Sequence, residues 1–110
     1  MLAKYYSMNL NNVLVHHVLF WLNDKNDLPE FLKGLNSLSA ISNVKYFNVG
    51  VTADTHGDKI ERSYHASLLT IFDDLQAHDT YQVDPIHEAF LTNYVKKFVA
   101  KVVVTDSVDA

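Results

Sequence analysis

Tyrosine and histidine are the residues of this chain best suited to moving a proton. Six of each occur in 110 residues, with no cysteine. Thiolate metal sites, iron–sulfur clusters, disulfides and cysteine nucleophiles are therefore excluded. The most informative spacing is Tyr81, three intervening residues, Pro85, one residue and His87. Asp84-Pro85 reads as a helix cap followed by the first helical position. His87 then falls in the first turn, where the helix dipole disfavours a positive imidazole. A neutral imidazole is suited to accept a proton. Tyr81, across the Asp84-Pro85 break, would meet it at the mouth of the space between helices and sheet and donate a hydrogen bond to a developing oxyanion. The same pair also fits an edge-of-core aromatic and a capping residue without chemistry.

The remaining histidines are weaker candidates. His16 and His17 are neighbours on an apolar, β-branched run, so their side chains point to opposite faces and cannot readily share a metal. Both also fit ordinary polar residues near a strand end. Asp54, His56 and Asp58 alternate in a polar segment, but no second ligand group accompanies them at metal-site spacing. His87-Glu88 begins like a zincin motif and has Leu91 where the second histidine should stand. With 3 glycines in the whole chain there is no phosphate-binding loop and no nucleophile elbow. Neither a metal nor an organic cofactor is expected.

These residues need a scaffold, and one domain is all the length provides. The composition, 48% hydrophobic and 20% charged, is that of an ordinary globular protein. Net charge is −4, and only Lys96-Lys97 form a basic pair, so nucleic acid is not an expected partner. No apolar run approaches the roughly 20 residues of a membrane span. Residues 1–12 read as a polar extension without a signal-peptide core, residues 13–108 as the domain, and the cytoplasm as its location.

Within the domain, Val13–Leu22 reads as a strand. Leu28, Phe31, Leu32, Leu35 and Leu38 recur at helical spacing, with Asp27 and Glu30 in a capping-box pattern and a stop at Asn43. Val44–Val51 and Ser63–Phe72 predict a hairpin with a long loop. Asp73 or Asp74 caps a short helix to about Gln82. A second helix from Pro85 carries Ile86, Phe90, Leu91, Tyr94 and Phe98, and Val99–Thr105 closes the chain as a strand.

The order β-α-β-β-α(α)-β predicts an α+β, ferredoxin-like (split βαβ) fold: a four-stranded antiparallel sheet with helices on one face. The first strand nevertheless carries Leu14, Val18, Phe20 and Leu22 on one face and Val13, Val15, Leu19 and Trp21 on the other. The strand at Val102-Val103-Val104 is also apolar on both. Helices cover one side only, so the other would be a large apolar patch, and a homodimer closed sheet to sheet into an α/β barrel is expected.

The segments HHVLFWL, SYHASLLTIF, DLQAHDTYQVDPIHEAF and VAKVVVTDSV together resemble the stress-responsive A/B barrel (Dabb) domain over about residues 13–108. The resemblance implies dimeric ferredoxin-like barrels, most without an assigned activity. One plant member performs a cofactor-free aldol cyclisation of a linear polyketide. By resemblance its catalytic tyrosine falls on Tyr81, its catalytic histidine on His87 and its strand histidine on His17. Leu19, Trp21, Phe31, Leu35, Leu68 and Phe90 would line an apolar pocket for a small carbonyl-bearing molecule. Asp84 stands where the family often has histidine, and Ala66 where the cyclase has a pocket histidine, which implies a related shape and a different substrate. Two alternatives accompany this reading: a non-catalytic stress-associated dimer, or a cofactor-free monooxygenase-like enzyme.

Overall fold

The structure, a computed structural model, describes residues 7–110. Of the expected extension, residues 1–6 lie outside the described residues, and residues 7–12 are exposed and irregular. The chain is tied down at Asn12 and Val13, whose backbone N–H groups donate to the Asp109 carboxylate (2.7 and 3.3 Å).

Four strands, β1 (Leu14–Leu22), β2 (Tyr46–Gly50), β3 (Ala66–Phe72) and β4 (Val99–Val108), form one antiparallel sheet in the order β2-β3-β1-β4. This is the expected split-βαβ arrangement. β2 is shorter than expected at both ends and β3 at its start, and β4 runs beyond Thr105. β1 is central, and its burial alternates along its whole length. Leu14, His16, Val18, Phe20 and Leu22 are buried beneath the helices, whereas Val15, His17, Leu19 and Trp21 share the half-buried outer face.

The helices are α1 (Leu28–Ser37), α2 (Leu75–Gln82), α3 (Pro85–Phe90) and α4 (Lys96–Phe98), with a π-helical turn, Leu91–Val95, joining the last two. Phe31 and Leu35 lie one turn apart on α1, and with Leu38 just beyond it they pack fully buried on Phe20 and Phe90. α1 starts differently from the capping-box expectation. A one-turn 3-10 helix, Lys25–Asp27, precedes it and is capped by Asp24, which accepts from the Asn26 N–H (2.9 Å). The chain is thus already wound on reaching Asp27, whose side chain caps nothing, and Glu30 pairs with Lys33 (3.3 Å). α1 also ends before Asn43, which instead donates its side-chain amide to the Ala77 carbonyl and tethers α2.

At Gly34 a Cβ would meet the ring of Tyr94. The π turn carries that ring, so glycine here lets two helices approach closely. The other end of the helical layer is looser. Over β4 the inner-face residues Val102 and Val104 keep 39% and 48% of their surface exposed, and the layer opens there into a cavity.

Candidate functional site

α2 presents Tyr81 because its start is fixed by Asp74, whose carboxylate accepts from the Ala77 N–H (2.8 Å). Asp84 accepts from the Ile86 N–H (2.8 Å) and Pro85 takes the first turn of α3, as expected. The break between these caps folds His87 back against Tyr81. Their rings lie edge to face with centroids 4.8 Å apart. Tyr81 is fully buried and His87 nearly so. Tyr81 Oη and His87 Nδ1, like Thr70 Oγ1, are sealed from solvent and have no hydrogen-bond partner among the described residues. Paired orphan groups are uncommon in native interiors, because each loses its hydration without compensation.

Electrostatics follow from that burial. Desolvation lifts the Tyr81 phenol well above its ordinary value of 10.0, so it stays a donor. Desolvation, and then the neighbouring His16, hold His87 below its ordinary 6.5, against the opposing pull of the Gln82 carbonyl, Asp84 and Glu88. Burial, more than the expected helix dipole, therefore keeps the imidazole neutral.

Beside the pair lies a cavity of about 210 Å³. Val18, Phe20, Leu68, Phe90, Leu91 and Val95 supply its apolar wall, and Val102 and Val104 of β4 flank its mouth. Tyr81, His87, Leu68 and Phe90 of the expected set are thus together. Phe31 and Leu35 sit in the packed core behind the wall. His17, Leu19 and Trp21 lie on the sheet's other face, away from the cavity, which corrects the placement implied by resemblance. Trp21 is held there by Ser63 Oγ (2.9 Å) and by Lys101 over its ring (4.6 Å). His16 occupies the position assigned to His17. With β1 apolar on both faces, hydropathy alone could not tell which parity the helices cover.

Two polar residues at the rim, His78 and Asp106, escaped the sequence reading, and His16, which also fitted an ordinary strand-end residue, joins them. His16 Nδ1 is 2.6 Å from Asp106 Oδ1, its register partner on β4, and His78 Nε2 is 3.9 Å from the same oxygen. The available signals were periodic: His78 stands three residues before Tyr81 on one helix face, and Asp106 follows Val102 and Val104 at strand spacing. The D-x-H-x-D segment forms a different cluster, in which Asp54 accepts from Arg62 (3.1 Å) and contacts His56 (2.8 Å) without Asp58.

Comparison with known proteins agrees with this architecture. Residues 14–109 match the profile of the stress responsive A/B barrel domain. A Dabb-family protein of ferredoxin-like fold from Mesorhizobium loti superposes with a TM-score of 0.74 at 27% identity, over 89% of this chain and 97% of that one. The At3g17210 protein of Arabidopsis thaliana gives 0.71 at 24% identity, covering 88% and 95%. A dimeric ferredoxin-like protein of unknown function from Thermobifida fusca gives 0.71 at 21%, covering 94% and 100%. No curated protein matches the chain. Since the matched profile spans all four strands and every helix between them, the chain belongs to the stress responsive A/B barrel domain family.

Proposed function

We propose that this protein works as a homodimer whose cavity takes up a small apolar, carbonyl-bearing molecule and performs proton transfer on it. The observation that carries the reading is the pair of orphan groups, Tyr81 Oη and His87 Nδ1, against an apolar cavity. A ligand that displaces the packing closed over Tyr81 Oη would offer its oxygen as the acceptor that the phenol lacks. His87, held neutral, would take the proton from the carbon α to that carbonyl while Tyr81 stabilises the enolate oxygen. His16, on the same wall, would orient the ligand. The volume suits a single ring with a short substituent, since an engineered apolar cavity of roughly 150 Å³ admits benzene.

The test is deuterium exchange at the α-carbons of cyclohexanone, followed by NMR with the full chain. Exchange faster than in buffer is expected. It should fall by about 10²-fold or more in His87→Gln and Tyr81→Phe. Exchange at the buffer rate with wild-type protein, or equal rates in all three proteins, would refute the reading and favour the non-catalytic dimer.

The homodimer rests on the outer sheet face. Val15, Leu19 and Trp21 of β1 stand there, paired across the sheet with Ile71, Ser67, Val103 and Lys101, and no helix among the described residues covers them. Two such faces packed together would remove a patch larger than monomers commonly expose, and the Thermobifida fusca relative is dimeric. Sedimentation at micromolar concentration should give a dimer for wild type and a monomer for Leu19→Asp. A monomeric wild type would contradict the sheet-packing argument.

A further inference from the structure

Beyond the orienting role of His16, the rim cluster has a geometry that the acid/base reading does not use. His16 comes from the inner face of β1, Asp106 from directly opposite it on β4, and His78 from α2 above them. Their donor atoms all lie within 4.8 Å of one another, and they form the one group of this kind among the described residues. We propose that His16, His78 and Asp106 bind a divalent transition-metal ion of the zinc type at the cavity mouth.

Distances support an ion at this point. Metal–ligand bonds of about 2.0–2.1 Å in a tetrahedron place donor atoms roughly 3.3 Å apart. Here the Asp106 oxygen is 2.6 Å from one imidazole nitrogen and 3.9 Å from the other, so the required separation lies between the two observed. His16 Nδ1 now donates its N–H to Asp106, and an entering ion would displace that proton, as metal binding to imidazole requires. The two-histidine, one-carboxylate donor set suits borderline ions such as Zn²⁺, Co²⁺ or Ni²⁺ better than Mg²⁺ or Ca²⁺, which prefer oxygen.

The surroundings supply a further feature of metal sites. His78 Nδ1 lies 3.0 Å from the Asp79 carboxylate. A carboxylate accepts, so this contact places the ring N–H at Nδ1 and leaves the Nε2 lone pair facing Asp106. Among the described residues the one group now touching that lone pair is the Gln82 amide, at a long 3.3 Å, and an ion would displace it. His16 is 4% exposed, whereas Asp106 is partly open, so the site is firmly held on one side and reachable from solvent on the other. Three protein ligands would leave one position free for a water or a ligand oxygen.

The test uses metal-free full-length protein titrated with Co²⁺, read by visible absorption, and with Zn²⁺, read by calorimetry. The expected result is one ion per chain, a tetrahedral Co²⁺ spectrum abolished by Zn²⁺, and an affinity loss of at least about 100-fold in His78→Ala and in Asp106→Asn, since even outer-shell changes weaken metal sites 10–100-fold. His56→Ala, in the loop cluster, should bind as wild type does. No spectrum and no heat at micromolar protein would overturn the proposal, as would unchanged binding in both ligand variants. Tyr81→Phe and His87→Gln should retain the ion, so this result stands or falls separately from the proton-transfer reading.

Discussion

Replacing Tyr81 by Phe should make the protein more stable and less active. The Tyr81 ring is 0% exposed and packs edge to face on Phe72 (5.0 Å between centroids) and His87 (4.8 Å). Phenylalanine keeps that ring and every one of those contacts, so the apolar contribution is unchanged. What is removed is one hydroxyl sealed from solvent and without a hydrogen-bond partner among the described residues. A buried polar group without a partner destabilises by about 1–3 kcal/mol, and relaxation returns part of this, so a gain of about 1–2 kcal/mol per chain is expected. With a urea slope of about 2 kcal/mol per molar, the midpoint should rise by roughly 0.5–1 M. The assay is equilibrium urea unfolding at one fixed protein concentration, because dimer stability depends on concentration. A midpoint lowered by 0.5 M or more, in units set by the same slope, would mean that the hydroxyl is satisfied in solution and that the orphan-group argument fails. The paired readout matters: a packing residue would lose stability on truncation, whereas a group held ready for a ligand loses turnover and gains stability.

Two further outcomes follow from the same packing. For His87 the folded form holds its proton less tightly than the ordinary 6.5. Its contribution to stability is therefore full above that value and is lost as pH falls below it, where the unfolded chain binds the proton first. Urea midpoints at pH 7.5 and 5.0 should differ less in His87→Gln than in wild type; the groups facing His87, namely His16, Asp84, Glu88 and the Tyr81 ring, are intact in both proteins. An unchanged difference would remove His87 from the account. Gly34→Ala should destabilise by about 1–3 kcal/mol despite alanine's better helix propensity, since its Cβ meets the Tyr94 ring. Thermal unfolding reads this loss, and Tyr94→Ala should make Gly34→Ala nearly neutral.

Much of the scaffold was legible because local rules and tertiary needs coincide. Asp84 and Pro85 cap and open α3 as the sequence predicts, and Asp74 is the one of the two offered aspartates that caps α2, since a side-chain acceptor next to unpaired N–H groups acts within a few residues. The boundaries that shifted lie where nonlocal contacts decide. Asp27 lost its expected capping role to an earlier 3-10 turn, and Asn43 serves as a tether to α2. Tyr81 and His87 were legible as a pair because only five residues, one of them a proline, separate them. His78 and Asp106 were not, because they come from elements brought together only when β4 pairs beside β1.

The amino-acid order alone determined the alternation of strands and helices, the two-sided hydrophobicity of β1 and the juxtaposition across Asp84-Pro85. Each is written in spacing along the chain. Tertiary structure decided which face of β1 the helices cover. A strand apolar on both sides satisfies the hydrophobic effect in either orientation, and a one-residue change of parity exchanges every side chain. Packing of Phe20 against Phe31 and Phe90 resolves it, and with it follows that His16, rather than His17, shares the cavity with Tyr81 and His87.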